Sequence, residues 1–136
     1  MIYRVDVQIS APVRDTEVSD RVEDAIRNVF PDAEIERRPG EVVATAHSLE
    51  RLSERLHQQQ ILDTARSVFF SHRRGNRFAF ALKKPAAFEG WVNFSVDDPG
   101  ELGDITVEVL VDQPDLEAYV DHVAPRTEDG KPVSDQ

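Results

Sequence analysis

The residues best suited to chemistry in this sequence are cations. Between Thr64 and Phe88 there is no Asp or Glu, yet the stretch holds Arg66, Arg73, Arg74, Arg77, Lys83 and Lys84. This window carries +6, while the rest of the chain sets 10 basic residues against 26 acidic ones. Two of the three lysines, Lys83 and Lys84, stand side by side within it. Guanidinium and ammonium groups neutralise phosphates and release their counterions. Arginine also forks onto phosphate oxygens and stacks on unpaired bases. The pattern reads as a surface kept available for an anion, with the backbone phosphates of a structured RNA as the first expectation. In a second reading the same basic surface docks an acidic protein, and the chain is an adaptor or assembly factor. A third has the arginines pairing with carboxylates from other elements, or partly buried. The interleaved aromatics Phe69, Phe70, Phe78, Phe80 and Phe88 alternate with small residues, which suits a core better than a stacking platform.

Catalytic templates are missing. The sequence has no Gly-rich phosphate loop before a lysine and serine, no Gly-x-Ser-x-Gly and no His-Glu-x-x-His. His47, His57, His72 and His122 are scattered, and no two share the i, i+4 spacing of a helical metal site. Asp97 and Asp98 read as a solvated loop rather than a carboxylate pair. The expectation is no enzyme, no metal and no cofactor. A small hydrolase or nuclease working through carboxylates and a metal is the distant third function.

The elements that would position the basic window follow from periodicity. Residues 2–10 alternate, with Tyr3, Val5, Val7 and Ile9 on one face, as a half-buried strand does. Asp15 or Thr16 can cap a helix whose apolar positions are Val18, Val22, Ala25, Ile26 and Val29, and Pro31 stops it. Residues 33–38 and 41–46 read as strands joined at Pro39 and Gly40. Ser48 is a candidate N-cap for a stripe of Leu49, Leu52 and Leu56. A second stripe of Ile61, Leu62, Ala65, Val68 and Phe69 makes one bent helix or two helices meeting near Gln58. A turn at 73–76 precedes a strand to Leu82, and a further strand is expected at 91–96. Residues 104–111 form the clearest strand, with Ile105, Val107, Val109 and Val111 on one face. Pro114 can start a short helix reaching Val123. Strands and helices do not alternate regularly. The predicted class is therefore α+β, a mostly antiparallel sheet with helices packed on one face.

Length and composition bound the rest. The chain has 136 residues, enough for one domain with a core of its own. It has no cysteine, which excludes disulfides and thiolate zinc sites. No apolar run approaches the roughly 18 residues of a membrane helix. Met1 to Val5 reads as strand rather than signal peptide, so the expected location is the cytoplasm, with no membrane partner. A net charge of −10 with three lysines suits a salt-rich cell, where charge keeps a protein soluble although salt screens it within a few ångströms. An acidic protein from an arginine-preferring genome is the plainer alternative. The expected domain runs over 1–130, with a disordered tail at 131–136. Oligomeric state is not legible.

Several blocks carry a family resemblance. They are Gln59-Gln60-Ile61-Leu62-Asp63-Thr64-Ala65-Arg66, Leu82-Lys83-Lys84-Pro85-Ala86-Ala87-Phe88, Asn93-Phe94, Leu102-Gly103-Asp104-Ile105 and Ala124-Pro125-Arg126-Thr127 with Gly130. Together they resemble the archaeal uncharacterised protein family 0201, over nearly the whole chain. The pattern departs at Gln59, where arginine is expected, and at Pro85, where glutamine is expected. The resemblance implies an RNA-binding domain with a fold similar to ribosomal protein L-five, and it implies no established activity. Within these blocks Asp63 and Arg66 can pair at i, i+3. One of Lys83 and Lys84 must face solvent at a strand end. Asn93 reads as a buried hydrogen-bonding side chain.

Overall fold

A computed structural model gives the fold and describes residues 2–96, 103–128 and 131–132. Six strands form one sheet: β1 (Arg4–Pro12), β2 (Glu34–Arg38), β3 (Glu41–Ala46), β4 (Arg73–Arg74), β5 (Arg77–Lys83) and β6 (Asp104–Gln113). Their spatial order is β2-β3-β1-β6-β5-β4, and every neighbouring pair is antiparallel. Five helices accompany them: α1 (Ser19–Val29), α2 (Glu50–Gln59), α3 (Leu62–Ser71), α4 (Lys84–Phe88) and α5 (Leu116–Val123). The class is α+β, as the pattern predicts.

Alternation along the strands makes the sheet one-sided. In β1 and β6, Val5, Val7, Ile9, Ile105, Val107, Val109 and Val111 are all buried. The core lies between this face and the helices, and includes Val22, Ile26, Leu52, Leu56, Ala65, Phe69 and Val120. Phe69, Phe78, Phe80 and Phe94 pack ring against ring within it, so these phenylalanines are core. On the opposite face, Gln8, Ser10, Thr45, Ala79, Ala81, Thr106 and Glu108 lie under no helix or strand of the described residues. The register sets Thr45, Gln8, Glu108 and Ala79 side by side across four strands.

Several local expectations are corrected. Helices α2 and α3 are separate, because Gln60 turns left-handed (φ 58°) and its N–H closes on the carbonyls of α2. Val18, with no side-chain cap, precedes α1, and neither Asp15 nor Thr16 serves. Leu49 rather than Ser48 holds the cap position of α2. Asp115 caps α5, its Oδ1 accepting from the Ala118 N–H at 2.8 Å. The strand expected at 91–96 is reduced to one bridge, Leu82 to Phe94. Asn93 is exposed, and the turn at 73–76 contains a two-residue strand. Past the expected boundary at 130, Lys131–Pro132 pair with Thr127–Glu128 as a small ribbon. Residues 133–136 and the loop expected at 97–100 lie outside the described residues.

Candidate nucleic-acid interface

The acid-free window does not form one basic patch, because it crosses the sheet. It leaves α3 on the helix side, turns through a hairpin and runs along β5, where successive side chains alternate faces. Its six cations therefore fall into three environments.

Arg66 and Arg73 are held on the helix side by α5. Arg66 Nη1 donates to Asp121 Oδ1 at 2.6 Å and to the Ala124 carbonyl at 3.0 Å, and its guanidinium lies 5.2 Å from the Phe70 ring centroid. Arg73 faces the buried Phe78 across the hairpin and donates to Glu117 Oε1 at 2.5 Å. The i, i+3 pair expected for Asp63 and Arg66 does not form, since Asp63 accepts from Thr127 Oγ1 instead.

Lys84 is inside the protein. Its side chain is 0% exposed, donating to Glu17 Oε1 at 2.9 Å and to the Pro12 carbonyl. It cannot be part of an exposed phosphate grip, and the sequence expectation is corrected there. The reason is parity: Lys83 ends β5 on the open face, and the next residue turns inward as α4 begins.

Arg74, Arg77 and Lys83 occupy the uncovered sheet face. Arg74 and Arg77 stand directly opposite one another across the Gly75-Asn76 turn. Like charges opposed in this way destabilise a hairpin by roughly 0.2–1 kcal/mol. Arg77 donates to Glu108 Oε1 at 3.1 Å, a pair half-exposed on both sides. Among the described residues, Arg74 and Lys83 enter no ion pair. Along β5, Arg77 and Lys83 are roughly 20 Å apart at about 3.3 Å per residue. The same face is acidic toward its other edge, where Glu34, Glu36, Arg38 and Glu108 line a concavity of about 510 Å³.

A second cationic cluster has no signature in the window. Arg27 and Asn28 in the last turn of α1, Arg51 and Arg55 of α2, and Phe88 to Gly90 line a concavity of about 420 Å³. Arg51 and Arg55 share a helix face at i, i+4. The segments lie far apart in sequence, with acidic residues between them, so no compositional window could find them. The lone tryptophan and this spacing were the available signals. The four histidines stay apart, and among the described residues no group of three His, Asp or Glu could hold a metal ion. No helix of the described chain is long and apolar enough to cross a membrane.

Comparison with known proteins places these surfaces in a lineage. A family model described as RNA binding matches residues 6–111. A UPF0201 protein of Methanothermobacter thermautotrophicus is 37% identical over 95% of this chain and 98% of its own length. A UPF0200/UPF0201 protein of Archaeoglobus fulgidus is 40% identical over 96% of this chain, which spans only 41% of that longer protein. The crystal structure of a UPF0201 protein from Methanococcus jannaschii superposes with a TM-score of 0.86 at 37% identity, covering 95% of this chain and 99% of that one. A DUF54 protein of Archaeoglobus fulgidus, 22% identical, shares the fold with a TM-score of 0.65, covering 88% of this chain and 95% of that one.

Proposed function

Because the chain belongs to the UPF0201 family, whose relatives here are archaeal and whose matching model is described as RNA binding, we propose that it is an RNA-binding domain. Its contacts are to backbone phosphates, through Arg74, Arg77 and Lys83 on the uncovered sheet face. The observation that carries this reading is the opposed pair Arg74 and Arg77. Two guanidiniums placed across a tight hairpin, one of them without a carboxylate, form a site that an anion would relax. The implied likeness to ribosomal protein L-five points the same way. Arg66 and Arg73 take a positioning part, since α5 already holds them. Among the described residues the open face shows no Phe, Tyr or Trp side chain, and the exposed His47 ring on it sits 3.2 Å from Asp6, so base stacking is a minor part of its contribution. The protein acts in the cytoplasm and catalyses no phosphodiester or nucleotide hydrolysis in this reading.

The test is RNA affinity across a salt series, for wild type and for the triple variant Arg74→Gln, Arg77→Gln, Lys83→Gln. Three phosphate contacts give a log–log salt slope of about −2 to −2.7. That is a loss of roughly 20- to 40-fold between about 50 and 200 mM salt. The triple variant should bind more weakly, with a slope shallower by about that amount. Equal affinity and slope for both proteins would exclude these residues. The adaptor reading remains favoured by one observation: the acidic concavity beside Arg77 puts both signs of charge on one face, as a protein partner of mixed charge requires. Recovery of a protein and no RNA from native-salt crosslinking would decide for it.

A further inference from the structure

The cluster between α1, α2 and α4 joins three features that point to one kind of ligand. The first is charge. Arg27, Arg51 and Arg55 converge on one concavity, and what restrains them is weak. Arg27 reaches Glu23 at 3.6 Å and Asp24 at 4.0 Å, both on its own helix, and Arg51 reaches Glu54 at 3.6 Å. Glu23 is buried and already bound by Arg37, and the exposed pairs with Asp24 and Glu54 contribute little and are readily exchanged for a better anion. Arg55 has no carboxylate among the described residues. Its Nη1 donates to Gln58 at 2.9 Å, and its buried Nε meets no acceptor. Glu89 is the acidic residue on the rim and lowers the net charge without closing the site.

The second feature is an exposed ring on a rigid mount. Trp91 stands beside the concavity rather than in its lining: it is 46% exposed, and the guanidinium of Arg55, which does line it, lies 5.1 Å from the centre of its ring system. It is fixed by the end of α4. Gly90, at φ +84°, donates to the Ala87 carbonyl at 3.0 Å, and the Trp91 N–H donates to Ala86 at 2.9 Å. That reciprocal pair of bonds around a left-handed glycine is a Schellman termination, which places Trp91 immediately beyond the helix. Gln59 then clamps Val92 on both backbone groups at 2.8 Å. A ring already held in place loses little freedom when a base stacks on it.

The third feature removes an obstacle. The carboxyl end of a helix presents carbonyls, which repel anions. Here the Asn28 amide donates to the carbonyls of Ala87 and Phe88 at 3.0 and 3.1 Å. The negative end of α4 is thus covered where it meets the concavity.

We propose that this concavity is a nucleotide site, which takes a phosphate between Arg27, Arg51 and Arg55 and stacks the attached base on Trp91. It deepens the RNA reading, and rests on it, in naming an unpaired nucleotide of an RNA chain as the natural occupant. A free nucleotide offers the same chemistry. Stacking and cation–π contact survive salt that screens phosphate contacts, so the site gives RNA a hold the open face lacks.

Trp91 is the single tryptophan of the chain, so its emission reports this site directly. Wild type, the variant Arg51→Gln, Arg55→Gln and the sheet-face triple variant should each be titrated with adenosine 5′-monophosphate and with a short single-stranded oligoadenylate. Circular dichroism melts confirm that each variant is folded. Saturable quenching by either ligand, weakened at least tenfold in the arginine variant, supports the proposal. Trp91→Ala, followed by anisotropy of labelled oligoadenylate, should lose at least about fivefold, the low end of one stacked base. Trp91→Phe should recover most of that. Quenching by the mononucleotide without any RNA binding would leave the site standing and refute the RNA reading. RNA binding that leaves Trp91 emission unchanged and falls only in the triple variant would overturn the site and leave the RNA reading intact. No saturable quenching by either ligand, or equal affinity in the arginine variant, would also overturn it.

Discussion

Lys83 and Lys84 are neighbours with opposite duties, and substituting each alone separates them. Lys84→Met keeps the length and most of the volume of the side chain but removes its charge. It leaves Glu17, whose side chain is 7% exposed, with only the Arg14 N–H at 2.9 Å among the described residues. The other carboxylate oxygen of Glu17 is already buried without a hydrogen bond. Breaking a buried pair and stranding the second charge costs about 3–5 kcal/mol. In a chain of this size each kcal/mol moves the melting temperature by about 3–4 °C, so the expected fall is roughly 10–18 °C. Lys83→Gln, at an exposed strand end, should change stability by less than about 0.5 kcal/mol. It should lower RNA affinity instead. Adding Glu17→Leu to Lys84→Met removes the stranded carboxylate and should return much of the lost stability. Thermal and urea melts of the four proteins give the answer. A Lys84→Met shift below about 3 °C, or a double variant no better than the single, would refute the stranded-charge reasoning.

Tyr119 is 2% exposed, and its hydroxyl accepts the Leu49 N–H at 3.1 Å. Burial pushes its ionisation up from the ordinary 10.0, against that hydrogen bond, so folding favours the neutral phenol. A raised folded-state pKa means this stability is whole below pH 10 and drains away as pH climbs beyond it. Alkaline melts of wild type should show the decline, and Tyr119→Phe should lack that component. The same substitution should cost about 1–3 kcal/mol near neutrality, because the buried Leu49 donor loses its acceptor. Gly90→Ala forces a side chain into a left-handed position and should cost about 1–2 kcal/mol while altering Trp91 emission. If the excess of acidic residues is a salt adaptation, melting temperature should rise as KCl goes from dilute to molar. A flat or falling curve would count against it.

Most of the fold was legible because its signals are local. Alternation in 104–111 and the 3.6-residue stripe of Val22, Ala25, Ile26 and Val29 each need only neighbours along the chain to make sense. The errors lie where tertiary contacts overrule local pattern. Residues 91–96 alternate acceptably, but the edge of β5 beside them is taken by β4 at one end and by a single bridge at the other. The candidate site was legible in part, since charge composition found the cations without their faces. Strand parity separates Arg74 and Arg77 from Arg73, and Lys83 from Lys84, once the register is known. The partners of Arg66 and Arg73 lie more than forty residues downstream on α5, beyond the reach of a local count.

The acid-free window and the acidic remainder are one arrangement. In a chain of net charge −10, carboxylates on α5 and before α1 need cations close by, and a segment lacking acids of its own supplies them without internal competition. That accounts for Arg66, Arg73 and Lys84 by folding alone. It does not account for Arg74 facing Arg77, nor for Arg55 lying against an exposed indole with a donor unmet. The proposed RNA binding would explain what folding leaves over, and the two residues suit different parts of a ligand. In the proposed reading the open-face pair meets phosphate, and its hold weakens as salt rises. The proposed Trp91 site would meet phosphate and base together, and its stacking part does not weaken in that way. Raising salt should therefore shift the energetic weight of RNA binding from β5 toward α2 and Trp91, with Trp91→Ala becoming the more damaging change above physiological ionic strength.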